Sequence, residues 1–294
     1  MKNIPIKQHY VPKFLINLYK LNQGNTDLIV VNTALSKFTF FNVKNSKNIL
    51  NEKNLYTMTK EDIGIEEKED PYFIEKKLSI VENQASIILN KITKRFLDNK
   101  NTFNIDREEE VVLKKFLIIQ SLRTPASMKN FSILSNNIAR LSNGMKMKQL
   151  FEEIDNILEE VFSNHNVSFK FVNKDLVPKV PTRHIPAEKI NLYSALMLSD
   201  NPALIYLDKE KSDGLILSMP ILNSLLIELS LIKNEDNFKE MTTNEVRLIN
   251  DIQLAHANSF VLMNDKKLIK NFEKNYNYYR NLYITSSTAV SIVK

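Results

Sequence analysis

The chain has 294 residues, of which 43% are hydrophobic and 25% charged, a balance typical of a folded domain. It has no cysteine, which excludes disulfides, a cysteine nucleophile and thiolate metal sites. With four glycines it has no Gly-rich phosphate loop or dinucleotide fingerprint. The net charge of +6 is carried by residues 1–50, which are rich in lysine and hold a single acid, Asp27. A basic segment of this kind favours contact with an anion such as phosphate.

The first quarter of the chain predicts one short helix and a strand pair. A helix is expected over 11–21, with a proline allowed in its first turn. Residues 27–35 and 37–43 are rich in β-branched and aromatic side chains and predict two strands joined by a short turn. Residues 44–69 are polar and irregular, so we expect a solvated loop there.

Helical periodicity dominates the middle of the chain. Apolar residues recur at helical spacing over 71–97, with Asp70 as the expected N-cap. A second helix is expected after Asp106, whose following acids suit a helix N-terminus. Pro125 should interrupt it. The periodicity then resumes through about residue 141, and Gly144 is expected to end that helix. A third amphipathic helix is expected over 146–162.

The last third predicts short strands and two further helices. Thr242 and Glu245 form a capping box for a helix reaching about residue 261, and the final helix covers 267–282. The runs at 192–198 and 203–207 fit either two strands around a turn or a helix end followed by a strand. Strands are also predicted at 168–172, 214–218 and 224–232.

The sequence therefore predicts an α+β fold with a helix-rich middle, short antiparallel strands and a C-terminal helix. Residues 1–263 are expected to form a single domain, followed by a helical extension and tail over 264–294. No apolar run approaches the ~20 residues of a membrane helix and no signal peptide is evident, so we expect a cytoplasmic protein.

Histidines are scarce, and their spacing does not predict a zinc site. His9 lies in the basic N-terminal segment beside a rigid Val-Pro step. His165 and His184 fall in a segment punctuated by prolines. His256 lies among apolar residues of a predicted helix, where a core or boundary position is expected.

Several polar residues have both a structural and a functional interpretation. Glu75 and Glu82 share one helix face, either as a charged rim or as part of a carboxylate site. Gln120 and Arg123 lie three residues apart before the expected kink. There, Arg123 could hold a phosphate in a fork or form an ion pair with Glu82 of the neighbouring helix.

Two later segments also have both a structural and a functional interpretation. Asp200, Asn201 and the following proline form a strong turn signal, while Asp200 could also reach into a cleft from a sheet edge. Lysines and tyrosines interleave over 266–283. That pattern fits single-stranded nucleic acid, but also an ordinary amphipathic helix with an aromatic core face.

Taken in order, these residues resemble a bacterial family of uncharacterised proteins, the domain of unknown function 4238. The resemblance covers about residues 6–263 and adds no reaction. It is carried by four motifs: Gln-His-Tyr-Val-Pro followed by Lys-Phe-Leu at 8–15, Val-Glu at 81–82, Gln-x-x-Arg-Thr-Pro at 120–125 and Ser-Asp-Asn-Pro at 199–202. Two later segments also resemble the family, an apolar segment with a proline at 218–220 and an asparagine followed by small residues and an apolar strand at 250–262.

The motif pattern selects polar residues from four separate segments, and a single pocket gathering them would suit phosphodiester chemistry. In that hypothesis His9, Glu82 and Asp200 are catalytic, with the two carboxylates holding a divalent cation such as Mg²⁺ or orienting His9. The substrate-binding residues are Gln120, Arg123, Asn201 and Lys13.

Two functions follow from that pocket. The first is a nuclease-like effector acting on RNA or DNA, in phage defence or a toxin system. The second is a non-catalytic module that senses a nucleotide or nucleic acid and acts through a protein partner of a defence system. The same cluster would also suit a purely structural network.

Overall fold

The structure, a computed structural model, describes residues 7–21, 28–32, 39–43, 49–59, 62, 70–98, 104–128, 142–173, 195–207, 214–231 and 238–263. In chain order its helices and strands are β1 (Lys7–His9), α1 (Lys13–Leu21), β2 (Leu28–Asn32), β3 (Thr39–Val43), β4 (Asn51–Lys53), α2 (Phe73–Leu97), α3 (Arg107–Leu122), α4 (Asn143–Glu160), β5 (Asn166–Phe171), β6 (Leu198–Ser199), β7 (Leu204–Leu207), β8 (Leu215–Leu222), β9 (Leu225–Ser230), β10 (Phe238–Glu240), α5 (Thr243–His256) and β11 (Phe260–Met263).

The strands form three sheets. The largest has the order β10-β5-β9-β8-β7, the second β3-β2-β11-β6, and the third contains only β1 and β4. Every pair is antiparallel except β10 with β5, which is parallel. The predicted α+β class, with short and mostly antiparallel strands, is confirmed. The expected C-terminal helix lies outside the described residues, and the predicted domain division remains a prediction.

The main core lies between the large sheet and the helices α1 to α4. Alternate side chains of β9 point to opposite faces, as the period of a strand requires. Leu225, Ile227 and Leu229 join the core that includes the helices, whereas Leu226 joins a smaller cluster with Val246 of α5. The large sheet is therefore covered by α1 to α4 on one face and contacted by α5 on the other.

Two helix starts were predicted correctly and one incorrectly. Asp106 and Thr242 each accept the backbone N–H three residues on, and the glutamates at those positions complete both capping boxes. The N-cap of α2 is Tyr72 rather than Asp70. Asp70 instead accepts the Tyr72 N–H at 3.0 Å, because a separate turn precedes the helix.

Gly144 does not end a helix; it lies in the first turn of α4, whose N-cap is Ser142. Its lack of a side chain is a packing requirement. A Cβ at this position would lie 2.9 Å from Met58 Cγ and 3.1 Å from the Tyr56 carbonyl oxygen. The glycine thus allows α4 to approach the segment that follows β4.

The structure differs from three further predictions made from the sequence. The predicted loop over 44–69 contains β4, a short polar strand without periodicity. β6 and β7 are strands, but they belong to different sheets and do not pair. α5 ends at His256, since Ala257 adopts an extended backbone, and β11 follows. None of the described helices has the length and apolarity needed to cross a bilayer.

Candidate functional site

The N-terminal strand is fixed by buried amide side chains. Gln8 is fully buried; its Oε1 accepts the Tyr56 N–H at 2.6 Å, and its Nε2 donates to Thr57 Oγ1 at 3.1 Å. From the opposite side, Gln120 Nε2 donates to the Tyr10 carbonyl at 2.9 Å. The residues flanking His9 are therefore held from two directions.

Arg123 completes this support from the C-terminal end of α3. The side chain is only 2% exposed. Nη1 contacts Glu82 Oε1 at 2.6 Å, while Nη2 donates to the backbone carbonyl of His9. Burial lowers the pKa of Arg123, but the Glu82 carboxylate more than offsets this, so the guanidinium stays charged. The ion pair between Arg123 and Glu82, one of the two interpretations from sequence, is confirmed.

With its backbone anchored, His9 lines a pocket between the N-terminal segment and α2. The pocket has a volume of about 290 Å³. One wall comes from the N-terminal segment and α1, the other from one face of α2. The described residues that line it are Lys7, His9, Lys13, Phe14, Glu75, Glu82, Asn83 and Ser86.

The two walls of the pocket differ in charge. The N-terminal segment and α1 contribute lysines, whereas α2 contributes two glutamates, and burial reduces the acidity of one of them, Glu75. Burial raises the pKa of Glu75, and the neighbouring Glu82 adds to that rise, while Arg123 and Lys13 oppose it. Glu82 is neutralised by Arg123. Lys7 and Lys13 are exposed and make no ion pair with another described residue. The pocket is therefore suited to an anion and contains one carboxyl, that of Glu75, whose pKa is raised by burial.

Asp200 lies in a different environment. It is 2% exposed, and its carboxylate accepts the backbone N–H groups of Asn258 and Ser259, both at 2.7 Å, and of Phe260 at 3.1 Å. Burial raises the pKa of Asp200 to about 6, against the opposing effect of these hydrogen bonds. It thus fixes the turn between α5 and β11 and does not line the His9 pocket.

Asn201 links the two larger sheets to the end of α3. Its Oδ1 accepts hydrogen bonds from Thr124 Oγ1 at 2.7 Å and Ser127 Oγ at 3.1 Å. The segment 200–203 runs from β6 in one sheet to β7 in the other. Asn201 therefore joins a structural junction, with its side chain directed at buried hydroxyls.

The structure thus brings together only part of the predicted site. His9, Glu82 and Lys13 line one pocket, while Gln120 and Arg123 support it from behind. Asp200 and Asn201 form a separate buried cluster. Sequence reasoning left Glu75 and Phe14 out of the site, although the spacing of Glu75 and Glu82 already placed both on one face.

The two other described histidines, His165 and His256, do not line this pocket. His165 is buried and its Nε2 donates to the Leu215 carbonyl at 2.9 Å. His256, expected in the core or at its boundary, is exposed in the last turn of α5, and His184 lies outside the described residues. Among the described residues, no three histidines, aspartates or glutamates are arranged to hold a metal ion.

Comparison with known protein families identifies the family of this chain. A family model described as a protein of unknown function (DUF4238) matches residues 7–175, more than half of the chain. No curated protein and no solved structure matches the chain. The matched range includes the whole lining of the His9 pocket and ends before Asp200.

Proposed function

Because the chain belongs to this family of unknown function, we propose its function from the pocket itself: a nuclease-like enzyme that cleaves phosphodiester bonds in RNA or DNA. The observation that carries the proposal is the joint lining of one pocket by His9, Glu75 and two exposed lysines, Lys7 and Lys13, that make no ion pair within the described part of the chain. An acid, a base and cations around one anion-sized space are the groups that phosphodiester cleavage needs.

In the proposed reaction, His9 accepts the proton of the attacking hydroxyl or water, since imidazole exchanges protons near neutral pH. The attacking oxygen bonds to phosphorus as the bond to the leaving oxygen breaks. Glu75 supplies a proton to that leaving oxygen, because burial raises its pKa and makes it a better proton donor than an exposed glutamate. Lys7 and Lys13 stabilise the charge on the phosphoryl oxygens.

This assignment moves phosphate binding from Arg123 to the two lysines. The Arg123 guanidinium is buried against Glu82 and the His9 carbonyl, so it acts as a positioning residue. A divalent cation such as Mg²⁺ fits poorly here. One oxygen of Glu82 is already bound by Arg123, and both lysines would repel the ion. We therefore derive no step through a metal.

The test is cleavage of labelled single-stranded RNA and DNA by the purified protein, with Mg²⁺, with Mn²⁺ and with EDTA. His9→Ala is expected to lower cleavage by about 100-fold or more, the usual effect of removing a general base. Glu75→Gln should also slow cleavage and shift the alkaline limb of the pH–rate profile. Lys77→Ala, an exposed lysine on α2 outside the pocket, serves as the matched control.

Equal cleavage by wild-type protein and His9→Ala, with unchanged melting temperatures, would contradict the mechanism. For the setting in phage defence or a toxin system, expression in a bacterial host provides a second test. Growth arrest with degraded nucleic acid should occur with the wild-type chain and be absent with His9→Ala.

The alternative is a non-catalytic module that senses a nucleotide or nucleic acid and acts through a protein partner. It is favoured by the structural use of Arg123 and Asp200, both of which have their polar groups directed at the protein interior. Binding that falls steeply with salt, without turnover in any of the three conditions, would support this function over the first.

A further inference from the structure

We infer that the His9 pocket binds one nucleotide of a single strand, with its base stacked on Phe14 and its base edge contacted by Asn83. This inference rests on the proposed function and specifies the substrate class. It arises from two lining residues that the proposed reaction does not use. An aromatic ring and a side-chain amide lie in the same pocket as the lysines.

Phe14 is suited to present a fixed aromatic surface. It is partly buried on α1, and its ring lies 5.5 Å from the ring of Phe116, with the two planes inclined at 43°. Phe116 is 1% exposed, so the supporting ring belongs to the core. Aromatic side chains held in this way are the platforms on which bases of single-stranded nucleic acids stack.

Lys13 precedes Phe14 directly in α1, so a cation and an aromatic ring enter the pocket from adjacent positions. Sugar–phosphate and base are likewise adjacent in a nucleotide. One wall of the pocket could therefore contact the phosphate through Lys13 while Phe14 contacts the attached base.

Asn83 supplies the polar contact from the opposite wall. It is exposed on α2, next to Glu82, and its side-chain amide makes no hydrogen bond with a described residue. A side-chain amide offers one donor and one acceptor side by side, which matches the edge of a base and of adenine in particular.

The size of the pocket suits a single nucleotide. A volume of about 290 Å³ is at the lower end of the range for ligand pockets and leaves room for one base with its phosphate. A base must therefore leave its neighbours to enter, which a single strand allows at the lowest cost.

The test compares a short labelled single strand with a strand of the same length whose residues lack bases. Binding is measured by fluorescence anisotropy in the His9→Ala background, so that the probe stays intact. Phe14→Leu keeps an apolar side chain against Phe116 and removes the aromatic face. It should weaken binding of the base-bearing strand by about 5- to 150-fold, the affinity equivalent of stacking one base. Binding of the abasic strand should not change.

Asn83→Ala provides a second variant at an exposed helical position, with Gln84→Ala as its matched control outside the pocket. Asn83→Ala should reduce the differences in affinity among the four homopolymers, and Gln84→Ala should leave them unchanged. Both variants should melt at the wild-type temperature, which separates recognition from folding.

Equal binding of the base-bearing and abasic strands, equal loss of both in Phe14→Leu, or no binding at all would overturn the inference. Cleavage by the wild-type chain, followed in parallel, separates the two proposals. Cleavage without base dependence would overturn the stacking site and leave the nuclease in place. Base-dependent binding without cleavage would support the stacking site and overturn the nuclease.

Discussion

Arg123 is the residue on which the arrangement around His9 depends most directly. Its two terminal nitrogens reach acceptors on different elements, a carboxylate on α2 and a backbone carbonyl on β1. Only a planar guanidinium with several fixed donors can make both contacts at once. The centre of the Tyr56 ring lies 5.8 Å from Arg123 Cζ and adds a cation–π contact.

A double-mutant cycle tests this coupling. Glu82→Gln and Arg123→Met should each lower the free energy of unfolding by about 2 kcal/mol or more. Glu82→Gln leaves the buried guanidinium without its counter-charge, and Arg123→Met leaves both the partly buried Glu82 carboxylate and the His9 carbonyl without their donor. The double variant should lose about 1–3 kcal/mol less than the sum. Urea denaturation at neutral pH measures all four proteins, and strict additivity would contradict the pairing.

Asp200 should give the stability a distinctive pH dependence. Burial raises its pKa from 3.8 to about 6, so between these values the folded state binds more protons than the unfolded state. Its contribution to stability is therefore present at low pH and is lost as pH rises through about 6. The maximum effect is about 3 kcal/mol.

Other groups titrate in the same range, so the informative quantity is the difference between wild-type protein and Asp200→Asn at each pH. This difference should move against the wild type as pH rises from 4 to 7. A difference that is constant with pH would show that folding leaves the pKa of Asp200 unchanged.

At the residue scale, the sequence predicted contacts whose partners both carry a signal. Arg123 and Glu82 lie on long periodic helices, so their pairing was one of two stated interpretations. The environment of Asp200 could not be predicted, because its partners are three backbone amides in a distant turn. Nearly every residue has a backbone N–H group, so the sequence does not show which of these groups will bind a carboxylate.

At the element scale, α4 and the segment after β4 are closely packed at Gly144. Gly144→Ala should lower the free energy of unfolding by about 1–3 kcal/mol, because the new methyl group would crowd Met58 and two backbone atoms. This is opposite in sign to the gain of up to ~1 kcal/mol usual for alanine in a helix. Thermal melting measures the change.

Gln149→Ala, at an exposed position of the same helix, is the control and should change stability by less than ~0.5 kcal/mol. A stabilised Gly144→Ala protein would show that α4 can move away from Met58 at little cost.

Helix starts were predictable where the side chain itself caps the helix, as with Asp106 and Thr242. β4 was missed because three polar residues have no periodicity, and it exists through pairing with β1. Asp70 was predicted as the N-cap of α2, but its side chain closes a turn just before the helix. An aspartate followed by a proline is typical of both positions, so the sequence does not distinguish them.

At the scale of the whole molecule, the range matched by the family model contains only one strand of the largest sheet. β5 lies within that range, but both of its neighbours, β9 and β10, come from later in the chain. Sequence analysis predicted most of these strands and not their order. Pairing between distant segments depends on which apolar faces meet, and periodicity does not encode that.

A chain ending after residue 175 should therefore fail to fold. Both edges of β5 would lose their hydrogen-bond partners, and the buried side chains of Val167 and Phe169 would lose their packing against β9. We expect aggregation in size-exclusion chromatography and no cooperative thermal transition. A monomeric fragment with a sharp transition would show that the later strands form a separate unit.

The strained backbone around β4 has a consequence for detecting ligands. Leu50 and Asn54 flank this strand with φ of 56° and 54°, and a left-handed leucine is costly. The β1–β4 sheet is also short, so its amide hydrogens should exchange with solvent through local opening well before the rest of the chain unfolds. A compound that occupies the His9 pocket stabilises the closed form and should slow that exchange at β1. Hydrogen exchange of a few amides can thus identify ligands of the pocket without knowledge of the reaction.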